Sequence, residues 1–221
     1  MPENIKIDLP TQLDLDLFVS NQAHDLRTPF NHITGFSKML LNTLGEAALT
    51  DIQKEDLTTV YRSGMRALTL MNGLIDIARI NRLEKDLNPK DTDLEQLIGQ
   101  AIAHWKKFNP GGDVKLGYNI LCLAKSIQAD EQLNRQVISS FIAFVGLYCE
   151  AKATITVTVS EEPDWFLFTF VSSGTKARVP SELDRQMIGY VNRTLVELQK
   201  GRIRQAEETE TGAIIQFTLP K

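Results

Sequence analysis

The chain has 221 residues, 24 Lys+Arg against 28 Asp+Glu, a formal net charge of −4, 43% apolar and 24% charged residues. That balance excludes disordered and collagen-like chains and fits one or two globular domains, and its mild acidity argues against a nucleic-acid partner, which needs a basic face to displace counterions. No uncharged apolar run approaches the roughly 20 residues that span a bilayer, and the opening residues lack a basic-then-apolar leader, so a cytoplasmic protein without membrane contact is expected.

From Leu13 to Leu44, a stripe recurs at helical spacing through Leu15, Phe18, Leu26, Phe30, Ile33, Ser37, Leu40 and Leu44, with Gln22 as a polar break. This predicts one long helix ending at Leu44-Gly45-Glu46. Only about twelve residues precede Leu13, so no input domain is expected ahead of it, and control should arrive through a partner or a phosphoryl group. Thr50 with Gln53 forms a capping-box signature for a second helix. Its stripe runs through Leu57, Tyr61, Gly64, Leu68, Met71, Ile75 and Ala78, and it should stop before Asn88-Pro89. Two such helices make a hairpin with a wide apolar face, which a homodimer closed into a four-helix bundle would cover.

After Pro89 the pattern changes to alternating helices and short β-rich runs. Helices are predicted over Asp93–Phe108, from Asp130 as N-cap to Glu150, and over Ser181–Lys200 with Gly201 as C′ residue. A turn is predicted at Asn109–Gly112 and a strand at Val114–Leu121. Thr154–Val159 and Trp165–Val171 should pair across Glu161–Asp164, and Arg202–Glu207 and Ala213–Leu219 form the last two strands. The expected organisation is a hairpin over residues 1–90 and an α/β sandwich over residues 91–221, large enough for its own core. Cys122 and Cys149 lie in apolar surroundings without metal-site spacing and are expected as buried thiols.

The chemistry concentrates on the first helix. His24 lies off the stripe through Leu26, Phe30 and Ile33, so its imidazole should project into water, where a phosphoryl group can reach it. Asp25 could orient the ring or take a proton from one nitrogen, leaving the other as nucleophile. Thr28, one turn on, can hold a water. Pro29 has no N–H, frees a carbonyl one turn earlier and bends the helix near the histidine. His32 and His104 are expected to be surface or structural residues.

The run Ala23-His24-Asp25-Leu26-Arg27-Thr28-Pro29, continued by Ile33, Gly35-Phe36-Ser37 and an apolar tail, resembles the phosphoacceptor box of bacterial sensor histidine kinases. That resemblance implies His24 as phosphoacceptor with Asp25 and Thr28 beside it and Arg27 and Pro29 in support. It also associates the Asp25-to-Thr28 pattern with dephosphorylating a partner receiver. From Leu94 to Pro220 the layout resembles the ATP-binding half of the same family, with Asp130–Val137 like the opening of its asparagine-bearing helix. The family's nucleotide ligands are missing. Its two helix asparagines, one a magnesium ligand, fall on Ser140 and Phe144, and its adenine-reading aspartate falls on Ser172. One glycine of that box survives at Gly174, the later glycine box is replaced by Gln186–Tyr190, and only 11 residues separate Gly174 from Gln186. No Walker-type loop substitutes.

The resemblance therefore implies an α+β protein: a long helical hairpin dimerising into a four-helix bundle, followed by a degenerate histidine-kinase-type sandwich that has lost ATP binding. It is expected to act as a phosphorelay phosphotransferase in which His24 exchanges a phosphoryl group with response-regulator receiver domains, the receiver supplying magnesium and the chain itself holding no cofactor or metal. Exposed Asn31, Thr34 and Lys38 below His24 are the expected docking side chains. Two alternatives stay open: a non-catalytic pseudokinase adaptor that binds a receiver or a kinase, and a weak autophosphorylating kinase.

Overall fold

The computed structural model of the chain describes residues 15–21, 23–43, 49–82, 86–108, 114–149, 152–175 and 182–221. Two helical segments, α1 (Leu15–Asn21) and α2 (Ala23–Thr43), flank Gln22 and pack antiparallel to α3 (Asp51–Asn81). The predicted capping box starts α3: the Thr50 hydroxyl accepts from the Gln53 amide at 3.3 Å, and the Thr50 amide donates to Gln53 Oε1 at 2.9 Å. The helix ends at Asn81, several residues before Asn88-Pro89. The predicted end of the first helix, Leu44-Gly45-Glu46, lies outside the described residues, as does the turn at Asn109–Gly112.

The face packed on α3 follows the predicted stripe only in part. Ser37 of that stripe is buried, and so are Ser20 of α1 and Ala23 and Thr34 of α2, while the stripe residues Ile33 and Leu40 are 43% and 36% exposed. Gly64 explains the exchange. A Cβ there would sit 2.9 Å from Thr34 Cγ2 and 3.2 Å from Ile33 Cγ2, so the helices approach where only small side chains fit. The buried hydroxyls return to their own helix, Thr34 Oγ1 donating to the Phe30 carbonyl at 2.8 Å and Ser37 Oγ to that of Ile33 at 2.7 Å.

The remainder is a sandwich. Strands β2 (Lys115–Leu121), β4 (Thr154–Glu161), β5 (Trp165–Ser173), β6 (Arg202–Thr209) and β7 (Gly212–Pro220) form one sheet in the order β2-β4-β5-β7-β6, antiparallel except for the parallel β2–β4 pair. Helices α4 (Leu94–Phe108), α5 (Glu131–Gly146) and α6 (Glu182–Leu198) pack against it. Strict alternation along β4 and β5 buries Ile155, Val157, Val159, Phe166, Phe168 and Phe170 on the helix side and leaves Thr156, Thr158 and Thr169 half-buried on the other. Phe168 stacks on Phe217 with ring centroids 4.8 Å apart, and Phe141 of α5 closes over Phe170 and Phe217 at 5.6 and 5.5 Å.

A two-stranded antiparallel ribbon, β1 (Lys90–Asp93) with β3 (Ser126–Ala129), adds to the predicted elements. The C-terminal end of α6 also differs. Lys200, at φ 63°, takes the left-handed position, with its own amide on the Glu197 carbonyl and that of Gly201 on the Val196 carbonyl. Gly201 is needed instead because a Cβ there would collide with the Thr218 carbonyl oxygen. Cys149 is buried as expected, but Cys122 is only half-buried; both are free thiols.

Candidate functional site: an exposed histidine and an inward-bonded nucleotide cradle

His24 is the second residue of α2 and is exposed, next to Ala23, which is 2% exposed against α3. The 100° step between successive helical residues places the imidazole off the packed face. Thr28 is half-buried, and its Oγ1 donates to the His24 carbonyl at 2.9 Å. Its proton is thus committed to the backbone, beside the carbonyl of Asp25 that Pro29 cannot serve; Pro29 is inside α2 and exposed. The Asp25 side chain lies outside the described residues. Arg27 is half-buried and donates from Nε to Oδ1 of Asn72 on α3 at 2.6 Å. This charge-assisted bond anchors the turn after His24 to the second helix.

Asn31 and Lys38 are exposed on the same helix, as predicted for a docking surface. Thr34 is not. It is 7% exposed and packs at Gly64, so the expectation of an exposed Thr34 is corrected: the close crossing that admits a small residue also covers it. His32 is exposed near the Phe36 ring, and His104 is half-buried with Nδ1 3.0 Å from Ser139 Oγ.

The positions that the resemblance aligns with nucleotide ligands are bonded or packed inward. Ser172 is 1% exposed, donates to the Val145 carbonyl at 2.7 Å and accepts from the Ala213 amide at 3.0 Å. Ser140 accepts from Nδ2 of the buried Asn192 at 2.8 Å. Phe144 is 9% exposed, edge-on to Tyr148 at 5.6 Å. Magnesium and nucleotide require oxygen ligands and polar readers. Phe144 offers none, and the Ser140 and Ser172 hydroxyls are engaged with α6, α5 and β7. Residues 176–181, between Gly174 and α6, and the side chains of Gln186 and Met187 lie outside the described residues.

Sequence reasoning missed three polar partners: Asn72, Asn192 and Asn134. The last is fully buried, donating to the Asp130 carbonyl at 2.9 Å and to Gln199 Oε1 at 2.6 Å. A carboxamide among apolar helix residues was the one available signal, and it does not name its partner.

An exposed histidine lies on a helical hairpin that is followed by this sandwich. Residues 14–83, about a third of the chain, match the His Kinase A (phospho-acceptor) domain. It is 25% identical over 149 residues to the Non-motile and phage-resistance protein of Caulobacter vibrioides, covering 67% of this chain and 18% of that protein. It is 24% identical over 159 residues to the circadian input-output histidine kinase CikA of Synechococcus elongatus, covering 71% and 21%. It is 34% identical over 86 residues to the cell-division control histidine kinase PdhS of Brucella ovis, covering 39% and 8%. The chain thus spans about a fifth or less of the length of these relatives.

Among solved structures, full-length ShkA in complex with AMPPNP superposes with a TM-score of 0.59 at 21% identity, over 93% of this chain and 46% of that one. Histidine kinase ThkA in complex with response regulator protein TrrA gives 0.56 at 17% identity, over 94% and 62%. These likenesses establish the fold. No helix among the described residues is long and apolar enough to cross a membrane.

Proposed function

We propose that this chain is a histidine phosphotransferase of a phosphorelay, taking a phosphoryl group from the aspartyl phosphate of one receiver domain onto His24 and passing it to another. The observation that carries this is the pairing of an exposed His24 with a cradle whose Ser140, Phe144 and Ser172 bond or pack inward. In the forward step a neutral imidazole nitrogen forms the N–P bond. The O–P bond of the acyl phosphate breaks, its electron pair returning to the receiver carboxylate, and the proton on the other ring nitrogen passes to Asp25 or water. The chain contributes a rigid, solvent-open nucleophile in line with the receiver's phosphoryl group; the metal comes with the receiver.

Receiver docking on the hairpin beside Asn31 and Lys38 follows from their exposure on the helix that bears His24. The exposed apolar side chains Phe36, Met39 and Ile52, at 61, 51 and 73%, favour a homodimer in which two hairpins make a four-helix bundle. An autokinase is the competing reading, favoured by the superposition on ShkA, a structure determined with AMPPNP. Incubation with a radiolabelled phosphoreceiver separates the two readings. A transferase gains acid-labile label that His24→Ala abolishes; an autokinase gains it from ATP alone. Failure to take label from any receiver would favour the adaptor.

A further inference from the structure

A cleft of about 230 Å³ lies between α3 of the hairpin and helices α4 and α5 of the sandwich. Met65 and Leu68 form its apolar wall. Its polar wall comes from Asn72 and Thr69 on α3, His104 on α4, and Gln132, Arg135 and Gln136 on α5. In a chain with 28 carboxylate side chains against 24 Lys and Arg, none of the described residues lining this cleft is acidic. The cleft is a concentration of donors.

Those donors are under-used. The Arg135 guanidinium makes a single long contact, Nη1 to Gln100 Oε1 at 3.4 Å, and no ion pair to it occurs among the described residues. Gln136 Nε2 is buried and has no hydrogen-bond partner. Asn72, which lines the cleft, accepts from Arg27 through its Oδ1, so its Nδ2 group takes no part in that bond. An unpaired buried amide keeps its full desolvation penalty, and a half-buried guanidinium without a carboxylate is likewise unsatisfied. One ligand that accepts from several donors and carries negative charge would satisfy them together. The cavity is smaller than the roughly 300–1,000 Å³ of sites for drug-sized ligands, which suits a small anion better than a nucleotide.

We propose that this cleft binds a small oxyanion, either inorganic phosphate or a carboxylate-bearing metabolite, through Arg135 and the side-chain amides of Asn72, Gln132 and Gln136. Its walls belong to both the hairpin and the sandwich, so an occupant ties the two together beside the close packing of Gly73 on Val191. It also touches, through Asn72, the bond that holds Arg27 in the turn after His24. This inference does not depend on the phosphoryl-transfer reading, because binding is measured without any reaction.

The test is calorimetric and NMR titration of the whole chain with inorganic phosphate in one arm and succinate in the other, at constant ionic strength set with chloride. Saturable binding of either anion is expected, with the Arg27 Nε–H resonance shifting on saturation. Arg135→Gln should weaken it about tenfold or more, the loss of one charge-assisted bond. Gln132→Glu places a carboxylate at an exposed rim position and should abolish binding without lowering the melting temperature of the free protein, which covers the case in which the arginine variant folds poorly. The arm that saturates identifies the source. Absence of saturable binding in both arms, or binding that Gln132→Glu leaves unchanged, overturns the proposal.

Discussion

Arg27 and Asn72, 45 residues apart in the chain, are joined by a 2.6 Å hydrogen bond from Nε to Oδ1 that ties the turn following His24 to the middle of α3. Both side chains are half-buried, so water replaces the bond incompletely. Asn72→Ala should destabilise the chain by about 1–2 kcal/mol, and the double-mutant cycle with Arg27→Ala should return a coupling near 1 kcal/mol. Urea unfolding of the four proteins checks this; additive losses would show the bond to be energetically idle.

Gly73 sits where α3 meets α6. A Cβ there would collide with Val191 Cγ1 and lie 3.4 Å from Gln136 Nε2. Gly73→Ala is expected to cost about 1–3 kcal/mol despite the better helix propensity of alanine. Val191→Ala in the same chain should recover part of that loss by vacating the space. Thermal melts of the single and double variants decide it; a double variant no better than the sum of its parts would mean the contact is not the cause.

Ser172 satisfies two buried backbone groups at once, the Val145 carbonyl and the Ala213 amide. Ser172→Ala should cost about 1–3 kcal/mol by orphaning them. Ser172→Asp, which restores the side chain expected of an ATP-binding relative, should cost more, because a carboxylate at a 1% exposed position is desolvated beside a carbonyl. Neither variant should gain nucleotide binding by calorimetry, since Phe144 is unchanged.

Glu161 links the end of β4 to the loop before β3. A bond from Lys221, whose Nζ is 2.7 Å from Oε1, is the largest influence holding its carboxyl below the usual carboxylate range, followed by the amides of Ala124 and Leu123. Because the native pKa is depressed, the stabilisation is fully present above the unfolded value, about 4.3, and is lost as pH falls through the native one. Glu161→Gln should therefore narrow the stability difference from the parent below that point. Denaturation midpoints from pH 7 to 3 read it; a constant gap would contradict it.

The legible parts of the fold were those where local chemistry and global packing agree. The Thr50–Gln53 capping box, the Asp130 cap and the alternation in β4 and β5 all appear as read. The ribbon of β1 and β3 was invisible because KDTD and SIQA are too short and polar to alternate. The packed face of α2 is only partly legible: at Gly64 the helices meet so closely that Thr34 Cγ2 and Ile33 Cγ2 both lie against it, which buries Thr34 while Ile33 stays 43% exposed. His24 was legible as an exposed position from helical phase alone. Its surroundings were not, because Asn72 and Asn192 become partners only when distant helices meet.

The central claim is tested most directly by locating phosphohistidine. The full chain is incubated in parallel with Mg-ATP and with a phosphorylated receiver, then digested at neutral pH and mapped by mass spectrometry that preserves the N–P bond. The account predicts phosphate on the His24 position in the receiver sample only, absent in His24→Ala and retained in His32→Ala. Phosphohistidine at that position from Mg-ATP alone, or phosphate on another residue in the receiver sample, would contradict it.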